Sequence, residues 1–254
     1  MADLAHWQII NTRPAARAAS LTAALQAAGV TVFELPLLEI EPLVISDKQR
    51  QYLLNLSDYH TVFVVSPTAA QLGLAVLADY WPQWPVGMDW LAVGEATARV
   101  LREYQLDPIV PPQETSEGLL RLPALQQLSA GQRLLVLRGE GGRNLVREQL
   151  SARGVRVDYL DLYRRQLPAL ALQQWQSWQV QTTYQGVIIT SGESWRYWLQ
   201  ITQGQATYIR PIIISERLGQ LLQQEGCTDY LLARSTRPDD IILAIRQSEH
   251  DSPR

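Results

Sequence analysis

The sequence predicts an α/β fold in which a doubly wound, parallel-sheet pattern is built twice. Three observations carry that prediction. Short runs that are apolar on consecutive residues suit strands covered on both faces, and they alternate with segments of helical periodicity along the chain. A strand running into a helix at residues 62–69 is repeated at 187–194, and residues 91–97 are echoed by 212–218. The unit at 134–158 finds its echo near the N-terminus, at 7–35, so one copy of the repeat is out of order.

Each element follows from its local pattern. Trp7–Asn11 is the first strand, followed by an arginine-bearing turn, a helix over Ala16–Ala28, Gly29 as its cap and a further strand to Leu35. Thr61–Val65 and Trp90–Val93 are strands that run into helices, the second over Ala96–Tyr104. Leu134–Leu137 leads to a helix at Asn144–Ala152, with Gly154 beyond it. Val187–Thr190, Ile212–Ile214 and Tyr230–Leu232 complete the strands, and a helix at Glu216–Glu225 ends at Gly226. The segments 35–42 and 158–167 are extended and alternating, and they are expected to pair as an interdomain β-ribbon. The expected division is a contiguous lobe of residues 42–160 and a discontinuous lobe of residues 1–37 plus 167–254. A cleft between two such lobes is where function is sought. Residues 248–254, polar and containing Pro253, are expected to fray.

Composition narrows the class. An apolar fraction of 46% and a charged fraction of 19% describe an ordinary globular protein, and a net charge of -3 argues against a general nucleic-acid binder. Cys227 is the single cysteine, which excludes an intrachain disulfide and fits a reducing compartment. Its place just after a helix suits a buried structural thiol better than a nucleophile. His6, His60 and His250 lack metal-ligand spacing, so no metal site is expected. With no apolar targeting segment and no run of transmembrane length, the expectation is a cytoplasmic protein without a membrane partner.

The strand-to-helix turns carry the candidate chemistry. Arg138 and Gly139 begin a glycine-rich turn that opens a helix, which reads either as an anion site at a helix N-terminus or as a tight surface turn. It is neither a dinucleotide fingerprint, since Asn144 replaces the third glycine, nor a P-loop. Ser66 and Ser191 occupy equivalent places in the repeat, at the carboxyl ends of strands, and read as helix caps or as ligand contacts. Gly94 and Thr97 read as a close backbone approach with a hydroxyl donor, or as a packing glycine with a capping threonine. Ser116 reads as a ligand contact or a capped helix start. Tyr163 lies on the extended segment beside Arg164 and Arg165, outside the lobe cores, and reads as packing or as a phenol facing a cleft. The tryptophan pairs 81/84, 175/178 and 195/198 read as packing.

Taken together, residues 65–69, 93–98 and 116–120, with 131–142, 153–155 leading to 163–165, and Thr12-Arg13-Pro14, resemble the uroporphyrinogen-III synthase family in order and spacing. The resemblance runs from Ile9 to about Ile245. It implies two Rossmann-like or flavodoxin-like lobes with parallel sheets, joined by a two-stranded β-ladder. It also implies a cofactor-independent hydro-lyase that closes the linear tetrapyrrole hydroxymethylbilane to uroporphyrinogen III, with loss of water and inversion of ring D. Nothing in the sequence demands a dimer, so a monomer is expected. On this reading Tyr163 is the proton donor, and Arg13, Ser66, Gly94, Thr97, Ser116, Arg138, Gly139 and Ser191 bind the substrate's acidic arms. Ser215-Glu216-Arg217-Leu218, the second lobe's counterpart of residues 94–97, lacks the glycine and threonine, so no site is carried over there. The alternative from another class is a non-catalytic two-lobed module that binds a small anion.

Overall fold

The computed structural model describes residues 4–142, 144–178, 183–206 and 208–251. In chain order the first half runs β1 (Gln8–Asn11), α1 (Ala15–Ala27), β2 (Thr31–Glu34), β3 (Glu39–Pro42), α2 (Asp47–Leu54), β4 (Thr61–Val64), α3 (Pro67–Tyr80), β5 (Asp89–Ala92) and α4 (Glu95–Glu103). It continues with α5 (Ser116–Leu120), α6 (Pro123–Gln126), β6 (Arg133–Gly139), α7 (Leu145–Ser151) and β7 (Arg156–Gln166). The remainder is α8 (Ala171–Trp178), β8 (Gly186–Ile189), α9 (Gly192–Thr202), β9 (Arg210–Ile213), α10 (Glu216–Gln224), β10 (Leu231–Leu232) and α11 (Pro238–Asp251).

The chain divides into two compact units, Met1–Glu39 with Gln166–Arg254 and Ile40–Arg165. The first holds a sheet ordered β10-β9-β8-β1-β2, the second a sheet ordered β3-β7-β6-β4-β5. Replacing β4, β5, β6 and β7 by their sequence echoes β8, β9, β1 and β2 turns the inner order of one sheet into that of the other. β1 pairs in parallel with both β2 and β8, whereas in the second unit β4 pairs in parallel with β5 and β6. The edge strand β3 departs from this pattern. Leu43 N–H donates to Leu162 O, Glu41 pairs with Arg164 and Glu39 with Gln166, so β3 runs antiparallel to β7. β7 also pairs with β6 from Arg156 onward, making it one continuous sheet strand and not a ribbon apart from the sheet.

Consecutive apolar residues are explained by burial on both faces. Val62 and Val64 pack with Leu74 and Leu77 on one side of their sheet, while Phe63 packs with Leu119 and Leu150 on the other. Ile10, Val187 and Ile189 likewise face Trp175 and Trp198, and Ile9 and Ile188 face Leu21 and Ile241. Gly29 and Gly226 adopt φ of 94° and 86° just past α1 and α10, the left-handed conformation that ends a helix at low steric cost. The tryptophans pack as expected: Trp175 and Trp198 are buried with ring centroids 5.0 Å apart. Trp81 and Trp84 donate to the Leu53 and Tyr104 carbonyls at 2.7 and 2.9 Å.

Two expectations are corrected. The C-terminal segment does not fray at Ser248: α11 continues to Asp251, Ser248 is buried, and Glu249 accepts from the Trp7 indole at 2.8 Å. Cys227 is half-buried and not fully enclosed; burial raises its thiol pKa, which suits an inert group. Among the described residues no helix is long and apolar enough to cross a membrane.

At the amino-terminal edge of the second sheet, a buried network closes the fold. The Tyr59 hydroxyl donates to Asp158 Oδ2 at 2.9 Å, and Arg133 Nη2 donates to the Tyr59 oxygen at 2.9 Å and to Asp158 at 3.2 Å. Arg156 Nε lies 3.1 Å from the same carboxylate. Burial, then the bond to Asp158, pushes the Tyr59 phenol well above its ordinary range.

Candidate functional site

The carboxyl ends of β4, β6 and β7 bring the first group of candidates together. Pro67 occupies the first turn of α3, where its missing N–H costs nothing, and Ser66 caps that helix by accepting from Ala69 N–H at 3.0 Å. The same Ser66 Oγ lies 3.0 Å from the Tyr163 hydroxyl. Both side chains line a cavity of about 250 Å³, whose wall includes Val65, Gly139, Gly142 and Arg165.

Tyr163 requires a correction. It does not stand clear of the lobe: it is only 6% exposed and packs in the layer that contains Leu137, Leu160 and Leu162. The cause is a register shift. Arg138 pairs with Asp161 but Gly139 pairs with Tyr163, so β7 carries one extra residue there and the ring swings over the end of β6. Gly139 makes room for it, because a β-carbon would lie 2.6 Å from the ring. Glu140 N–H donates to the Tyr163 carbonyl at 2.7 Å and fixes the backbone.

Arg138 is also corrected. Its guanidinium does not project as an open anion donor; the residue is 8% exposed and Nε lies 3.0 Å from Asp161 Oδ1. The same Nε also donates to the Gly139 carbonyl at 3.1 Å, and Nη2 closes on that of Gly141. The plane lies 4.3 Å from the centre of the Tyr159 ring, which Arg147 also approaches at 3.5 Å. Arg138 therefore shapes the glycine turn from beneath.

At Gly94 the chain supplies its own anion. Glu114 Oε1 accepts from Glu95 N–H at 2.8 Å, and a β-carbon on Gly94 would meet that carboxylate at 2.4 to 2.7 Å. The first turn of α4 is thus filled by Glu114, a residue the sequence reading did not single out. Thr97 is 1% exposed and lies inside the unit, not at its surface. Ser116 begins α5, but its side chain lies outside the described residues.

In the other unit, Arg13 follows β1 and donates to Thr236 O at 3.3 Å; partial burial and Arg17 lower its pKa. Thr12 beside it donates to Ile188 O at 2.5 Å, tying the turn to β8. Ser191 caps α9 through Ser194 N–H at 3.0 Å and exchanges a hydrogen bond with Ser194 Oγ at 2.9 Å. It lines a second cavity, of about 490 Å³, with Ser215, Arg196 and Arg217. Sequence reasoning passed over both arginines, although Arg217 stood in the very segment it compared.

The profile described as Uroporphyrinogen-III synthase HemD matches residues 19–242 of this chain. The chain belongs to the uroporphyrinogen-III synthase family. A protein of that name from Escherichia coli (strain K12) is 31% identical over 249 residues, covering 94% of this chain and 99% of its own. The uroporphyrinogen-III synthase of Salmonella typhimurium is 32% identical over 258 residues, with the same two coverages of 94% and 99%. Uroporphyrinogen III synthase structures share the fold. A mutant of the Thermus thermophilus protein gives a TM-score of 0.69 at 14% identity, covering 97% of this chain and 100% of that one. The Helicobacter pylori 26695 protein gives 0.57 at 14% identity, covering 95% and 99%. The α/β class and the parallel sheets read from the sequence are those of uroporphyrinogen-III synthases, and the motif resemblance names the same family.

Proposed function

We propose that this protein closes hydroxymethylbilane to uroporphyrinogen III, with loss of water and inversion of ring D. Family membership supports the reaction, and the hydrogen-bonded pair of Tyr163 and Ser66 at the wall of a cavity is the observation that supports the chemistry. The terminal hydroxymethyl oxygen leaves as water once protonated. The resulting carbocation is stabilised by its own pyrrole, and ring D attacks it through the α-carbon that carries the bridge to ring C, giving a spiro intermediate. That bridge bond then breaks, ring D turns over, and its other α-carbon closes onto the freed methylene with loss of its proton. Electron flow stays within the substrate, so the protein's share is to fold it into reacting geometry and to move protons.

Tyr163 is the proposed proton donor. When the Ser66 hydroxyl donates to the phenol oxygen, the phenolic proton is left for the substrate, and the phenolate that forms keeps a hydrogen bond. The cavity of about 250 Å³ admits one ring or one acidic arm, not the whole tetrapyrrole. In this reading Gly139 and Arg138 act as positioning residues: the glycine leaves space for the phenol and the arginine holds the turn. Arg13, Ser191 and the Gly94 turn are proposed to contact acidic arms, the last after Glu114 yields its place. The deciding experiment is the isomer ratio formed from hydroxymethylbilane by the purified protein. Type III as the main product is expected; the spontaneous type I isomer alone, at any protein concentration, overturns the reading.

A further inference from the structure

The cavity of about 490 Å³ at the carboxyl ends of β8 and β9 is lined by Ser191, Ser215, Gln220, Glu193, Arg196 and Arg217, and its cations have no part in the steps above. The volume lies within the range of small-ligand sites. Arg196 Nε reaches back to the Gly192 carbonyl at 3.3 Å. Arg217 is exposed, and among the described residues its side chain has neither a hydrogen bond nor an ion pair. It also sits in the first turn of α10, where the helix dipole disfavours a cation, so helix stability does not account for it. Glu193 brings the only carboxylate among these lining side chains, and it has a partner of its own. An anion entering the cavity would find two guanidiniums, the neutral hydrogen-bonding groups of Ser191, Ser215 and Gln220, and few competing acids.

We infer that this cavity takes a carboxylate arm of the tetrapyrrole, with Arg217 and Arg196 as specificity-determining cations; the inference rests on the proposed cyclisation. Guanidinium and carboxylate match as planar, two-pronged partners, which suits an acetate or propionate end. Arg217 supplies by side-chain charge what Gly94 and its neighbours supply by backbone in the other unit. That accounts for a Ser-Glu-Arg-Leu segment at 215–218 that lacks the glycine and threonine of its counterpart.

The test uses the full chain in two assays. In the first, hydroxymethylbilane kinetics compare the wild type with Arg217→Gln, Arg217→Lys and Arg196→Gln, with Arg50→Gln on α2 as a charge control. Arg217→Gln is expected to raise KM roughly five- to tenfold with turnover within about twofold and type III still formed at saturation. The effect should shrink at high salt, Arg217→Lys should fall between, and Arg50→Gln should leave KM alone. In the second, uroporphyrin III binding is followed by tryptophan quenching and needs no catalysis. A wild type that binds uroporphyrin III through Arg217 but yields only type I product refutes the cyclisation and leaves this site standing. Unchanged KM and unchanged uroporphyrin affinity in Arg217→Gln at low salt overturn the site, as does a loss that salt does not modulate or that follows a lowered melting temperature.

Discussion

Gly139 and Tyr163 touch at the limit of what a glycine permits: a β-carbon at 139 would lie 2.6 Å from Cε2 and Cζ of the phenol and 3.1 Å from its oxygen. Methyl and ring cannot share that space. Gly139→Ala should displace the ring and break its bond to Ser66. Overpacking of this kind costs about 1–3 kcal/mol, visible in urea unfolding, and turnover should fall at least tenfold. A variant with wild-type turnover would show that the phenol's position is immaterial.

Tyr163→Phe keeps the ring and removes only the hydroxyl. Loss of general-acid assistance should lower turnover by roughly 10²–10⁴-fold, with KM little changed. Ser66→Ala should cost about 1 kcal/mol of stability, because it removes the cap of α3 as well. If the two hydroxyls act as one unit, the double variant should be scarcely slower than Tyr163→Phe alone. Additive losses in single-turnover kinetics would separate their roles.

Asp158 collects donors from Tyr59, Arg133 and Arg156, and its side chain is 10% exposed. Asp158→Asn leaves the shielded Arg133 without its buried counter-charge. A destabilisation of about 2–3 kcal/mol is expected, read from denaturant midpoints, with catalysis intact at temperatures where the variant is folded.

Tyr59 makes stability sensitive to alkali. Its folded pKa is raised, so the native state keeps a proton that the unfolded chain releases above about pH 10. The stabilisation is fully present below that pH and declines as pH rises toward the folded value. The slope contributed is up to about 1.4 kcal/mol per pH unit. Melting curves of Tyr59→Phe between about pH 9 and 11 should be flatter than those of the wild type; parallel curves would count against the assignment.

The fold class was legible because burial on both faces leaves an unmistakable mark: Val62, Phe63 and Val64 are all apolar, and each is buried. The out-of-order echo was legible because an arginine stands at the carboxyl end of both strands, Arg138 within β6 and Arg13 just past β1, and a glycine follows the next helix in each. What the sequence concealed was the use of side chains by distant partners. The residues around Arg138 in sequence do not reveal that Asp161, its partner in the β6–β7 register just before the shift, will neutralise it. Glu114 is nineteen positions from Glu95, whose amide it binds. One partial signal was present: Tyr159 and Asp161 alternate along β7, so strand periodicity puts both on one face, the face that the structure turns toward Arg138.

The order of strands in the first sheet also sets a timetable for synthesis. Gln8 N–H bonds to the side chain of Gln185, 177 positions later, and β1 pairs with β8 in the same region. At typical elongation speeds of about 5–20 residues per second, β1 and β2 leave the ribosome roughly 10–35 seconds before their neighbour exists. The second sheet, drawn from one uninterrupted stretch, can assemble during that wait. The nascent N-terminal strands meanwhile present an unpaired edge, the kind of exposure that holding chaperones and proteases recognise.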